Sequence, residues 1–273
     1  MKRFIALVIS FGTITTGAFA WGKLGHSTVA YIAEQHLTPK AKKALNEYLH
    51  GYSLVSVASL NDDCKSIMKV DMGYDFKDAK RIAGLPHTFE VASETFDVNR
   101  NICDNGRYVK NCIWFIDHYA DNLKKNACNM DDSTRFAQIA SIVHFLGDMH
   151  CPEHIRYYPE DMTIGYYDVI WNGKPIRLHT LWDIEILTDK RDWSFSDLAY
   201  LIDRPTKKKV KEITAGNVWD WAKDSAECSY PVHKTQPGDT LGEYYTLENQ
   251  VLAESQLLKA GHRLAAILNE IFK

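Results

Sequence analysis

The stretch HFLGDMHCPEH, residues 144 to 154, places three histidines, an aspartate and a cysteine within eleven positions. Each such side chain carries a desolvation cost in a protein interior unless it is paired, so their concentration asks for a shared partner. His144 and Asp148 stand four apart, and on a helix both point the same way and can grip one metal ion. His179 and Asp183, in HTLWD, repeat that spacing. Pro152 should end the first helix, which brings His154 in from a new direction, free to serve a different ion. A single His/Asp pair on a helix is more often a surface contact. Two pairs together with His154 point to metal binding, and imidazole with carboxylate suits zinc. Zinc held in this way lowers the pKa of a bound water to near neutrality, so the chemistry on offer is hydrolysis. His150, six residues past His144, faces away from that pair and reads as a supporting or exposed group. His87, in GLPHTFE, reads by itself as structural, and His36, His50, His118, His233 and His262 as surface or core-edge groups.

The elements that must position these residues are helical. Thr38-Pro39 pairs an N-cap with proline at the first helical position, opening a helix that stops at Gly51. Before it, Val29, Ile32 and Ala33 recur at helical spacing. Asp132 or Ser133 should cap a helix with Phe136, Ile139, Ala140, Val143 and Leu146 on one face. A continuous run from about Tyr244 to Phe272 contains no glycine except Gly261. YYDVIW-NG-KPIRL, residues 166 to 178, is the main exception and reads as a hairpin turning at Asn172-Gly173. Lys207-Lys208-Lys209 reads as a solvated helix end. The fold class expected is mainly α, one helical domain with a short β-hairpin.

The first twenty residues have the pattern of an export signal. Lys2 and Arg3 precede FIALVISFGTITTG, which is too short to span a bilayer, and Ala18-Phe19-Ala20 supplies a cleavage pattern. A mature chain starting at Trp21 would keep 253 of the 273 residues, enough for one well-filled core. Loss of Lys2 and Arg3 takes the formal charge from −3 to −5, which argues against broad attraction to nucleic acid or membrane surfaces. It leaves room for a phosphate substrate, because bound cations reverse the local field. Export permits disulfides among Cys64, Cys103, Cys112, Cys128, Cys151 and Cys228. Of the fifteen pairings, the local Cys103–Cys112 bridge around Asn105-Gly106 is favoured, and Cys151 is also expected in a disulfide. No Asn-x-Ser/Thr acceptor occurs, which leans towards a periplasmic setting.

Trp21 with His26, ASLND at 58 to 62, His87, HFLGDMHCPEH, LHTLWD and the closing AGHRLAAILNEIF together resemble the zinc-dependent, single-strand-specific nucleases of the S1/P1 type. The likeness runs in order from Trp21 to about Phe272 and implies a mainly helical, phospholipase C/nuclease-like fold with three zinc ions. It implies one zinc on Asp62, His87, His144 and Asp148. A second would take the amino group and carbonyl of Trp21, with His26 and Asp148, so that Asp148 bridges. A third would be held by His154, His179 and Asp183. The same likeness gives Asp62, Lys65 and Asp148 catalytic roles, with Lys65 beside the transition-state charge. The implied reaction is cleavage of single-stranded DNA or RNA, or of a nucleotide, to a 5′-phosphate and a free 3′-hydroxyl, with 3′-nucleotidase activity. The implied protein is a secreted or periplasmic monomer without a membrane anchor.

Departures from the family pattern lie around the substrate. Thr88 replaces an aromatic, Glu90 stands where the family reads the base edge with Asp or Asn, and MTIGYY lacks the usual Gly-Gly-Asn turn. Loss of a stacking aromatic forfeits about 1–3 kcal/mol per base; Phe89, Tyr166 or Tyr167 are the alternative platforms. Cys151-Pro-Glu153 replaces the common Gln-Pro-Leu. Two rival readings stay open, a phospholipase C-like phosphoesterase and an exported zinc-binding protein without catalysis. Phospholipases of that kind usually carry Glu where this chain has Asp183, which favours the nuclease arm.

Overall fold

The computed structural model describes residues 21–66, 86–100, 102–104, 107–159 and 166–273, without the side chains of 64–66, 102–104 and 107–109. In chain order the elements are α1 (Lys23–Gln35), α2 (Pro39–Tyr48), α3 (Leu54–Val57), α4 (Leu60–Ser66), β1 (Phe89–Ala92), β2 (Ile102–Asp104), β3 (Arg107–Val109), α5 (Cys112–Asn126) and α6 (Asp132–Asp148). There follow β4 (Ile155–Tyr158), β5 (Asp168–Trp171) and β6 (Lys174–Arg177). A helical run in three parts, here α7, comprises Leu178–Thr180, a π-helical Leu181–Glu185 and Ile186–Thr188. The chain closes with α8 (Phe195–Ile202), α9 (Lys207–Ile213), α10 (Val218–Ser229), β7 (Thr240–Leu241) and α11 (Glu243–Ile271). The architecture is mainly helical with small sheets, as the sequence implies.

Local chemistry explains the boundaries. The Thr38 side chain accepts from the Ala41 amide at 3.2 Å and Pro39 opens α2, while His50 and Gly51 reverse the chain at φ 53° and 83°. The cap of α6 is Asp131, which accepts from Thr134 at 2.9 Å, one residue before the expected Asp132 or Ser133. Both can offer an oxygen there, and the residue with extended backbone takes the role. The hairpin pairs β5 with β6 around Asn172-Gly173, both at positive φ, as a type I′ turn requires.

The helices enclose one contiguous apolar core. In it α1 packs on α11, and α6 packs on α5 and α11. Gly261 permits the first contact, since a Cβ there would lie 2.5 Å from Ile32 Cγ2. A parallel pairing not foreseen in the sequence joins β1 to β4, with Phe89 opposite Ile155. It matters for function because His154 directly precedes this ladder and His87 stands two residues before it.

The expected disulfides are not formed. Cys112, Cys128, Cys151 and Cys228 are free thiols. Cys112 is turned into the core at the first turn of α5, and Cys151 faces the carboxylate of Asp183 at 3.7 Å, so neither is directed at another sulfur. Cys64 and Cys103 have side chains outside the described residues. No helix among the described residues is long and apolar enough to cross a membrane.

Candidate metal centre

The C-terminal end of α6, the start of α1, the short α4, the strand pair β1/β4 and α7 converge on one buried group of imidazoles and carboxylates. His26, Asp62, His87, His144, Asp148, His154, His179 and Asp183 are all buried. The i, i+4 spacing on α6 sets His144 Nε2 3.3 Å from Asp148 Oδ2. His87 Nδ1 comes within 2.9 Å of the same Asp148 oxygen and 3.0 Å of His144 Nε2. Asp62, from α4, completes this set with oxygens 3.7 Å from each of those two nitrogens. The other Asp148 oxygen, Oδ1, faces His26 Nε2 at 3.3 Å. Asp148 therefore presents one oxygen to each of two donor groups.

The second histidine-aspartate pair forms a further group. His179 Nε2 lies 3.1 Å from Asp183 Oδ2 and 3.2 Å from His154 Nε2. Asp183 lies in the π-helical part of α7, whose wider turn carries it to the same side as His179; π-bulges of this kind are frequent at functional sites. Ring orientations are set by the backbone. His144 Nδ1 donates to Ala58 O at 2.8 Å and His154 Nδ1 to His87 O at 3.0 Å. Each leaves Nε2 with its lone pair towards the cluster, the arrangement a metal-binding histidine needs.

Electrostatics marks the same atoms. Burial drives His144 well below the ordinary imidazole range, and burial followed by the neighbouring His154 brings His179 down to about 3. Both rings are neutral at pH 7 and able to ligate. Burial pushes Asp183 well above the usual carboxylate range, reinforced by Glu153, Asp62 and Asp148. Burial also works against ionisation of Asp148, but His144 and His87 outweigh it and hold that carboxyl well below its ordinary value.

A metal fits these residues better than their own hydrogen bonding does. Of the atoms that face the donor groups, His26 Nε2, both carboxylate oxygens of Asp148 and Asp183 Oδ2 are buried without a hydrogen bond. Interiors rarely tolerate so many orphaned polar atoms unless an ion satisfies them. Nitrogen and oxygen donors at about 2.0–2.1 Å from zinc stand about 3.3 Å apart in a tetrahedron, and the contacts of 2.9–3.7 Å found here bracket that edge.

A model of the family described as S1/P1 nuclease matches residues 21–273. The chain belongs to the S1/P1 nuclease family. It is thus a hydrolase acting on phosphoester bonds, in a family that uses zinc. Among curated relatives, Endonuclease 4 of Arabidopsis thaliana is 24% identical over 100% of this chain and 96% of its own length. Nuclease P1 of Penicillium citrinum is 26% identical, over 92% of this chain and 97% of the relative. Nuclease S1 of Aspergillus oryzae is 24% identical, over 99% and 98%.

The remaining residues singled out from the S1/P1 likeness are placed unevenly. Trp21 is fully buried, edge-on to Trp182 with ring centres 6.4 Å apart. Lys65 belongs to α4, and its side chain lies outside the described residues. Thr88 is half-buried beside His87, while Glu90 is buried and accepts from Asn99 Nδ2 at 3.3 Å. Phe89 is fully buried core, which removes it as a stacking platform; Tyr166 is 50% exposed with its ring 5.3 Å from that of His179. His150 is fully buried rather than exposed. It donates from Nδ1 to Leu146 O at 2.8 Å and accepts from Arg263 at 2.9 Å, away from the cluster.

Two contributors escape a reading by residue type. Gly147 is needed because a Cβ there would meet His26 Nδ1 at 2.6 Å. Asn61, next to Asp62, is fully buried and donates to Ser141 Oγ at 3.3 Å, tying α4 to α6. For Asn61 the available signal was Ser141, a polar residue among the apolar positions of α6 itself; Gly147 offered none beyond being a glycine inside a helix.

Proposed function

We propose that this chain is an exported, zinc-dependent endonuclease that cuts single-stranded DNA and RNA to 5′-phosphorylated products and removes phosphate from nucleoside 3′-phosphates. The observation that carries the reading is the set of buried His and Asp donor atoms spaced like the edges of metal polyhedra, the Asp148 and Asp183 oxygens among them without a hydrogen bond. Three ions are assigned. One falls to Asp62, His87, His144 and Asp148, one to Trp21, His26 and Asp148, and one to His154, His179 and Asp183.

Bound zinc supplies a Lewis acid for phosphate oxygens and a water acidic enough to attack near neutral pH. The chain's own residues hold that chemistry in place. Asp148 aligns the first two donor groups through its separate oxygens, and the Ala58 and His87 carbonyls fix the tautomers of His144 and His154. Burial keeps His144 and His179 unprotonated, so no proton must leave them before they ligate. Lys65, one helical turn beyond Asp62, is given the charge beside the scissile phosphate. Tyr166, exposed at the edge of His179, is the platform for a base in place of the aromatic absent at Thr88, at about 1–3 kcal/mol per stacked base. Thr88, which directly follows His87, and Glu90, in β1, are assigned to the substrate. Residues 1–20 are read as an export signal, and their removal at Trp21 frees the amine assigned to the second ion.

The test is hydrolysis by the processed protein of single-stranded DNA, RNA, nucleoside 3′-phosphates and a phosphocholine lipid, with zinc counted on the same sample. Cleavage of the nucleic acids to 5′-phosphorylated ends with three zincs per chain is expected. Lipid turnover without nucleic acid cleavage would transfer the site to a phospholipase C-like reaction. A chain retaining residues before Trp21 should bind fewer zinc ions, and unchanged stoichiometry would refute the ligation by Trp21.

A further inference from the structure

We propose that Cys151 is a sulfur ligand of the ion assigned to His154, His179 and Asp183, giving that ion a Cys/His/His/Asp set; the inference rests on the reading that those three residues hold a metal. Cys151 is fully buried, with its sulfur 3.7 Å from Asp183 Oδ1. The sulfur, a His154 ring nitrogen and an Asp183 oxygen all lie within 4.8 Å of one another. Sulfur at about 2.3 Å from zinc, with nitrogen and oxygen at about 2.0–2.1 Å, gives tetrahedral S–O and S–N edges of about 3.5 Å. His179 Nε2 stands 3.2 Å from His154 Nε2 and 3.1 Å from Asp183 Oδ2, so Asp183 presents Oδ1 to the sulfur and Oδ2 to the imidazole around the same space.

The local backbone explains how cysteine reaches this place. Pro152–His154 is a single 3-10 turn, closed by the His154 amide donating to Cys151 O at 3.0 Å. Cys151 precedes this turn with extended backbone, and the turn returns His154 to the side of the Cys151 sulfur in a Cys-x-x-His spacing. His154 is oriented by its bond to the His87 carbonyl, and Asp183 Oδ2 is buried without a hydrogen bond. A disulfide is excluded as the role of Cys151 because the thiol is free. A thiolate and a carboxylate together neutralise one divalent cation, which an apolar side chain in the same space would not do.

The consequence is a change in the character of one site. Three protein ligands leave a position for substrate, and four close a tetrahedron, as in structural zinc sites. Sulfur also shifts preference towards zinc, cadmium and cobalt over magnesium and manganese. A phosphate oxygen then reaches this ion only by displacing the sulfur or by expanding the coordination.

The experiment uses the full mature chain, stripped of metal and reloaded with Co²⁺. A thiolate-to-cobalt charge-transfer band in the near ultraviolet is expected in the parent protein. It should persist in Cys128→Ser, which removes the exposed thiol, and vanish in Cys151→Ser. Because Cys151→Ser could misfold, ¹¹³Cd NMR of the unaltered chain gives an independent reading, with one resonance shifted far downfield by sulfur. Full cobalt loading with no such band, or cadmium resonances only in the nitrogen/oxygen region, overturns the sulfur ligand and leaves the metal reading standing. Cobalt uptake that His179→Ala and Asp183→Asn leave unchanged overturns both together.

Discussion

At the level of single residues, Asp148 has the most to lose. Its Oδ2 faces His87 and His144 and its Oδ1 faces His26, so one carboxylate serves two donor groups. Asp148→Asn keeps the size and removes the charge and one acceptor. Loss of bound metal from both groups is expected, with turnover down by at least about 100-fold, since even groups that only support ligands cost about 10–100-fold when changed. Zinc counting alongside single-stranded DNA hydrolysis checks it, and full activity would disprove the bridging role. Gly147 is a subtler control. Gly147→Ala raises helix propensity but puts a Cβ 2.6 Å from His26 Nδ1 and 2.9 Å from its Cε1. The ring must turn away, so metal stoichiometry should fall by about one ion per chain while helix content by circular dichroism stays constant. Retained stoichiometry would mean that His26 is not a ligand.

At the level of elements, what the sequence discloses depends on how local the cause is. Helix α2 and the hairpin were readable because Thr38-Pro39 and Asn172-Gly173 act within a few residues. The convergence of His144 with Asp148 and of His179 with Asp183 was readable because helical spacing alone brings each pair together. His87 was readable only through the family likeness and not from its own surroundings, since it reaches His144 through the β1/β4 ladder, a pairing of segments more than sixty residues apart that no local pattern encodes. The free state of Cys112 and Cys151 was missed for the same reason, as cysteine spacing carries no information on which way a side chain turns. Gly261 was noticed as an exception in a long helix, and its cause is the approach of α1. Gly261→Ala would place a Cβ 2.5 Å from Ile32 Cγ2 and 2.6 Å from Ile32 Cβ. Overpacking of this kind costs about 1–3 kcal/mol, against a helix-propensity gain of about 1 kcal/mol. A lower melting temperature is expected, together with weaker metal retention, because α1 carries His26. A variant as stable as the parent would show that the two helices can separate freely.

At the level of the whole molecule, the site sets how stability responds to acid and to metal. In the stripped protein His179 has a pKa of about 3, against about 6.5 for an unfolded histidine. The unfolded chain therefore takes up a proton that the folded chain refuses between those values, and stability falls as pH drops from about 6.5 towards 3, by at most about 1.4 kcal/mol per pH unit for this group. Asp203 adds to the acid limb with a different window. Burial pushes its carboxyl up, but the hydrogen bonds from His262 and His36 hold it below the ordinary value, so its contribution is present above about pH 3.9 and is lost as pH falls below that. Thermal melts of the stripped protein against pH should steepen accordingly, and His179→Gln should flatten the part between pH 6.5 and about 3. Metal works in the opposite sense. An ion that binds only the folded chain stabilises it by about 2.7 kcal/mol when present at 100 times its dissociation constant. For a domain of this size that corresponds to about 5–10 °C per site, at about 2–4 °C per kcal/mol. Chelation should lower the melting temperature by at least this much, and zinc should restore it. The effect should be larger near neutral pH than in acid, where protons compete for the same imidazoles. A melting temperature indifferent to chelator would mean that the buried His and Asp atoms satisfy one another without an ion, and the metal assignment would fall with it.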